Sequence, residues 1–162
     1  MHIARMFAAL CFVVLASSVF AVPLPKGDLP AGYEHWEKRS HPCTIKKGVT
    51  VNLETFTLRS AEAIMSGVSI WYVNGEPIEA KYMETVPEPT SLSGYRTVGY
   101  SVALDKNGKW VKLGDKTRSM TNNERILLRL SRFAHLERFG VTEREFTSAF
   151  AACNRDRPGE LR

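Results

Sequence analysis

Cysteine spacing is the strongest constraint on how this chain can fold. Cys11 lies inside an apolar run, Met6 to Ala16, that follows the basic start supplied by His2 and Arg5. The run is short for a membrane span of about 20 residues. Pro23 and Pro25 come soon after it, and Val19-Phe20-Ala21 has the small-x-small character of a cleavage site. Residues 1–21 therefore read as a signal peptide, with a membrane helix as the alternative. Once they are removed, one pair remains, Cys43 and Cys153. An even pair in an oxidising compartment reads as a disulfide; two free buried thiols are the other reading. Such a bridge ties the front of the domain to its end. The chain-entropy account values so long a loop at about 4–5 kcal/mol, and measured cases often fall nearer ~2–4 kcal/mol.

A length of 162 residues leaves room for one domain, assigned to 43–153, with a charged tail at 154–162. The stretch 22–42 holds four prolines and no sustained periodicity, as expected of an extended leader. Its Lys38-Arg39 pair is dibasic. In a fungal host that pair reads as a processing site, which would make 22–39 a pro-segment; otherwise it is an exposed basic pair with no role.

Within the domain, "KKGVTV" (46–51) reads as a strand. "NLETFTLRSAEAIMSG" (52–67) reads as a helix, because Leu53, Phe56, Ser60 and Ile64 share a helical face between an Asn52 cap and Gly67. Asn74-Gly75 predicts a two-residue hairpin turn. That register pairs Val73 with Glu76, Trp71 with Ile78 and Ser69 with Ala80. It puts Trp71, Val73, Ile78, Ala80 and Tyr82 on a dry face, and Val68, Ile70, Tyr72, Pro77, Glu79 and Lys81 on the other. Pro77 marks the return strand as an edge near the turn. The stretch 85–94 reads as a loop. A second hairpin turns at 105–108, with Gly108 in the left-handed position. Capping boxes at Thr121/Glu124 and Thr142/Glu145 open two helices. Ile126, Leu130, Phe133 and Ala134 form the predicted core stripe of the first, and Phe146, Ala149, Phe150 and Cys153 that of the second. The expected fold is α+β: an antiparallel sheet of four to five strands, one helix after the first strand, two C-terminal helices and one disulfide.

Formal charge is +5, or +4 without Arg5, so clustering matters more than the total. Arg125, Arg129 and Arg132 form a ridge that Arg118 extends, with no acid three or four residues away within the stripe. Planar guanidinium donors suit phosphate or carboxylate recognition; a solvated face, or pairing with acids from elsewhere in the fold, is the alternative. Tyr72 is the expected exposed contact residue of the first hairpin. His35, His41 and Cys43 match no structural metal spacing, so no metal is assigned. His135 reads as a surface histidine. The chain shows no glycine-rich phosphate loop, nucleophile elbow or paired-cysteine motif, and no cofactor is expected.

"GVTVNLETFTLRSAEAI" resembles the strand-then-helix opening of small secreted fungal guanyl-specific ribonucleases and the effectors derived from them. "PIEAKYMETV" is similar to their strand bearing a catalytic histidine and glutamate. The resemblance covers residues 43–113 and implies Glu84 as the acid. No histidine occurs between His41 and His135, so the first catalytic histidine is missing, and transesterification needs a paired base and acid. The sequence-level expectation is a secreted, non-enzymatic, effector-type virulence protein. It would bind a host or target protein, or an anionic polymer such as RNA, with no stable membrane insertion. A ribonuclease-like hydrolase using Glu84 and His135, or a bacterial periplasmic inhibitor or immunity protein, are the alternatives.

Overall fold

Asn74 and Gly75 adopt φ values of 50° and 85°, the left-handed pair that an Asn-Gly hairpin requires. The Asn74 side chain accepts from the Thr50 amide at 2.8 Å and donates to the Gly48 carbonyl at 3.1 Å. One turn residue thus locks two neighbouring hairpins together. The computed structural model describes residues 22–60, 65–105 and 107–155. Six strands pair antiparallel in sequence order: β1 (Glu37–Lys46), β2 (Val49–Arg59), β3 (Met65–Val73), β4 (Glu76–Pro87), β5 (Tyr95–Leu104) and β6 (Trp110–Asp115). Helices α1 (Asn122–Arg138) and α2 (Glu143–Arg155) follow. The fold is α+β with two C-terminal helices, as expected, but with six strands.

Among the described residues no helix follows the first strand. Residues 52–59, expected to be helical, belong to β2, and 65–67 open β3; the rest of that predicted helix, 61–64, lies outside the described residues. The stretch 46–51 contains the β1–β2 turn, and 85–87 extend β4. The cause is burial on both sides. Phe56 packs on one face of β2 while Val49 and Val51 pack on the other. A strand covered twice shows apolar residues at both parities, which erases the period-two signal.

The leader is part of the fold. Residues 37–42 form the first half of β1. Residues 22–36 strap across one sheet face through 3₁₀ turns at Lys26–Asp28 and Tyr33–His35. Trp110 on β6 donates to the Pro23 carbonyl at 2.8 Å. Tyr100 on β5 donates to the Asp28 carbonyl. Tyr33 meets Phe56 on β2 edge-on, with centroids 5.1 Å apart. Leu29 and Tyr33 are buried with Val68, Ile70, Ala80, Tyr82, Tyr100 and Val102. Each such side chain contributes about 1.5–3 kcal/mol through removal from water.

A bulge between Trp71 and Tyr72 shifts the first hairpin. Tyr72 faces Pro77, but Trp71 faces Glu79 and Ile70 faces Ala80. Past the turn the predicted register is therefore off by one. Ala80 and Tyr82 join Val68 and Ile70 under the strap, while Glu79 and Lys81 turn to the other face with Trp71. β4 is an interior strand, paired with β5 from Glu79 onward; only its start near Pro77 lies beyond that partner.

The helices cover the second face. Phe146 and Phe150 stack at 5.6 Å and contact Trp71 at 5.8 and 5.0 Å. Both capping boxes form: Glu124 accepts from the Thr121 amide at 2.7 Å, and Glu145 accepts from the Thr142 amide at 2.7 Å. Cys43 on β1 and Cys153 on α2 are joined as a disulfide, with Cα atoms 6.0 Å apart, a normal separation for such a bridge. In α1 the predicted core stripe holds only in its second half: Phe133 packs against Phe146 at 5.9 Å and Ala134 is half-buried. Ile126 and Leu130 are 55% and 60% exposed, and Leu136 and His135 are buried in their place. The face of α1 turned to the sheet carries Leu136 and Phe133 in the core and Arg132 against the buried acid Glu79. No helix of the described residues is long and apolar enough to cross a membrane.

Candidate functional site

Residues directly opposite one another in neighbouring strands share a face, so the register defines rows across the helix side of the sheet. The first row is His41, Leu53, Trp71, Glu79, Ala103 and Val111. The next is Arg39, Thr55, Ser69, Lys81, Ser101 and Leu113, and the third is Glu37, Thr57, Gly67, Met83, Gly99 and Asp115. The helices cover the first row. Beyond it, among the described residues, the sheet lies open from β1 to β5 as a groove of about 450 Å³. Its lining includes Arg39, Arg59, Thr57, Thr85 and Met83. Gly67 leaves its floor bare: a Cβ there would meet only the Phe56 carbonyl, at 3.8 Å. Gly99 is glycine for a different reason, since a Cβ would lie 2.1 Å from the Tyr82 carbonyl oxygen.

Charge along the groove is uneven. Arg39 donates to Glu37 at 3.0 and 3.2 Å, and Arg59 is exposed on the far rim. His41 is buried at the helix end. Lys81 stands where the groove meets α1. Burial holds its ammonium below the usual lysine range; Arg125 and Arg132 add to this, and Glu79 opposes it.

The four arginines expected to form a ridge do not share one environment. Arg118 makes two 2.7 Å hydrogen bonds to Glu124 and pairs with Asp115 at 3.5 Å. The same contact, with the Thr121 amide, holds the Glu124 carboxyl well below its usual range. Arg129 pairs with Glu143 of α2. Arg132 is engaged by buried Glu79 and lies over the Trp71 ring at 4.7 Å. Arg125 is exposed and forms no ion pair among the described residues. Pairing with acids accounts for three of the four, locally for Arg118 and with other elements for Arg129 and Arg132, so no continuous ridge forms.

Tyr72 is not an exposed contact residue. It is half-buried on the strap side, where burial and then Glu54 push its phenol well up. His135 is not a surface histidine either. It is 4% exposed, with Nε2 at 2.9 Å from the Leu104 carbonyl and Nδ1 facing Arg138 at 3.4 Å. It lines a second cavity of about 380 Å³ beside Arg138 and Glu76. Glu84 accepts from the Tyr82 hydroxyl at 2.8 Å on the strap side, so the sheet separates it from His135. Among the described residues no three His, Cys, Asp or Glu side chains could hold a metal ion. Sequence reasoning missed Lys81, Arg39, Arg59 and Gly67 as a group. For Lys81 the signal was the hairpin register, which the bulge displaced; Arg39 and Arg59 come from β1 and β2, outside that hairpin. Comparison with protein-family models, with curated proteins and with solved structures finds no match to this chain.

Proposed function

We propose that this chain is a secreted, non-enzymatic interaction protein of the effector type that receives an acidic, extended segment of a partner protein in the open half of its sheet. The groove itself carries the reading. The strap and the helices cover much of the two faces, yet among the described residues this region is open, with Arg39 and Arg59 at its edge and hydroxyls along its floor. Export is supported by the N-terminal apolar run and by the single cysteine pair. A polypeptide is favoured over single-stranded RNA because bases bind sequence-tolerantly by stacking on aromatic rings. The one aromatic residue in the lining, Phe56, is committed to Tyr33 under the strap.

Fluorescence anisotropy with poly-glutamate and with poly-uridine tests the reading. Poly-glutamate should bind with a steep salt dependence and should weaken about tenfold in Gly67→Leu and in Arg39→Ala/Arg59→Ala. Equal binding by wild type and both variants would remove the groove from the interaction. Stronger binding of poly-uridine would replace the polypeptide partner with a nucleic acid.

A further inference from the structure

The corner where the groove meets α1 holds more positive charge than it can neutralise. Glu79 is 2% exposed, and both of its oxygens are taken by Arg132, each at 2.8 Å. Lys81 lies two residues further along β4, on the same face, flanked by Ser69 and Ser101 in the adjacent strands. It is half-buried and donates no hydrogen bond among the described residues. The next cation, Arg125, is exposed on α1, two turns before Arg132 and so on the side of the helix that meets Glu79 and Lys81; its charge adds to the depression of the Lys81 ammonium. Among the described residues, the one buried carboxylate of this corner is thus saturated by Arg132, which leaves the Lys81 and Arg125 charges without an ion pair.

We propose that this corner is a binding subsite for a phosphate group, held by Lys81 and Arg125 and by the hydroxyl of Ser69. A phosphate monoester carries about −1.5 to −2 charge at neutral pH and three acceptor oxygens, which matches the two uncompensated cations. Charge-assisted hydrogen bonds from lysine and arginine are the strong class of such contacts. Ser101 is fully buried with its hydroxyl directed to the Met120 sulfur at 3.7 Å, so it backs the site and does not open onto it. Ser69 and Met83, the neighbours of Lys81, line the groove. The subsite is thus continuous with the groove, and a phosphorylated side chain of a bound segment reaches it directly. In that form it deepens the groove reading by assigning the segment a phosphorylated residue; as an anion site it stands without that reading.

The test is calorimetry with inorganic phosphate at constant ionic strength, followed by a phosphoserine peptide and its unmodified form. Lys81→Met should lower phosphate affinity about tenfold or more, and Arg125→Ala several-fold. Gly67→Leu should weaken the phosphopeptide while leaving inorganic phosphate unchanged. Phosphate should move the backbone resonances of Ser69, Lys81 and Ser101 in the wild-type protein, a readout independent of how any variant folds. Unchanged affinity in Lys81→Met, or resonance shifts spread over surface arginines, would overturn the subsite. Lys81-dependent phosphate binding combined with an indifferent groove would retain the subsite and sink only the polypeptide reading.

Discussion

Arg132 and Glu79, 53 residues apart in sequence, form a two-pronged ion pair between α1 and the middle of the sheet, with both hydrogen bonds at 2.8 Å. The carboxylate is almost fully removed from water, so its partner cannot be lost without stranding a charge. Either Arg132→Met or Glu79→Gln alone is expected to cost about 3–5 kcal/mol in urea denaturation. The double substitution should cost clearly less than the sum. Additive losses would mean that the pair is not coupled.

The Cys43–Cys153 bridge closes a separation of 110 residues. Its removal in Cys43→Ser/Cys153→Ser should lower stability by about 2–4 kcal/mol. Mass spectrometry of the protein purified without reductant should find the two cysteines oxidised to one bridge. Two reduced sulfurs in that material would contradict the assignment.

Proteolysis at Lys38-Arg39 would cut β1 and release the strap that buries Leu29 and Tyr33. A chain beginning at Ser40 is therefore expected to fold poorly, and Tyr33→Ala in the longer chain to lose about 3 kcal/mol. Circular dichroism and thermal melts read both. A shortened chain as stable as the longer one would restore the pro-segment reading.

Tyr82 is pushed up to about 12 by burial and by its bond to Glu84. Burial also raises Tyr33 and Tyr100. An unfolded tyrosine ionises near pH ~10, so in that window the folded state holds more protons than the unfolded one. Stability therefore falls as pH rises from the unfolded value through the folded one. Near-ultraviolet difference absorbance should show delayed phenolate formation, coincident with alkaline unfolding. Early titration of these phenols without loss of structure would refute it.

Lys81 has the opposite linkage. Its folded pKa is depressed, mainly by burial, so the charged form is penalised in the folded state, and that penalty lifts as pH rises from the folded value towards the unfolded one. Lys81→Met should be neutral or stabilising below that window, with the gain shrinking at higher pH. Paired denaturation curves at neutral and alkaline pH measure it. A loss of stability at neutral pH would show that the lysine makes a contact the protein depends on.

Some features were legible because they are local. Asn74-Gly75 dictates its turn, and the Thr-x-x-Glu boxes at 121 and 142 supply their own caps. The spacing of Phe146, Phe150 and Cys153 specifies one helical face. Each depends on atoms within a few residues of chain, so no distant partner is needed to decide it.

What the chain alone could not reveal depends on which surfaces meet. A strap over one face and helices over the other give β2 and β3 apolar residues at both parities, which let a helix reading compete at 52–67. One bulge at Ile78 moves Glu79 and Lys81 to the helix side. There Glu79 meets Arg132, Leu136 and Phe133 pack into the core beside it, and Ile126 faces water. Local stereochemistry fixed the turns and caps, and cysteine count alone named the pair, whereas burial and charge pairing across the fold decided which side chains line the groove, because those energies exist only once distant strands and helices touch.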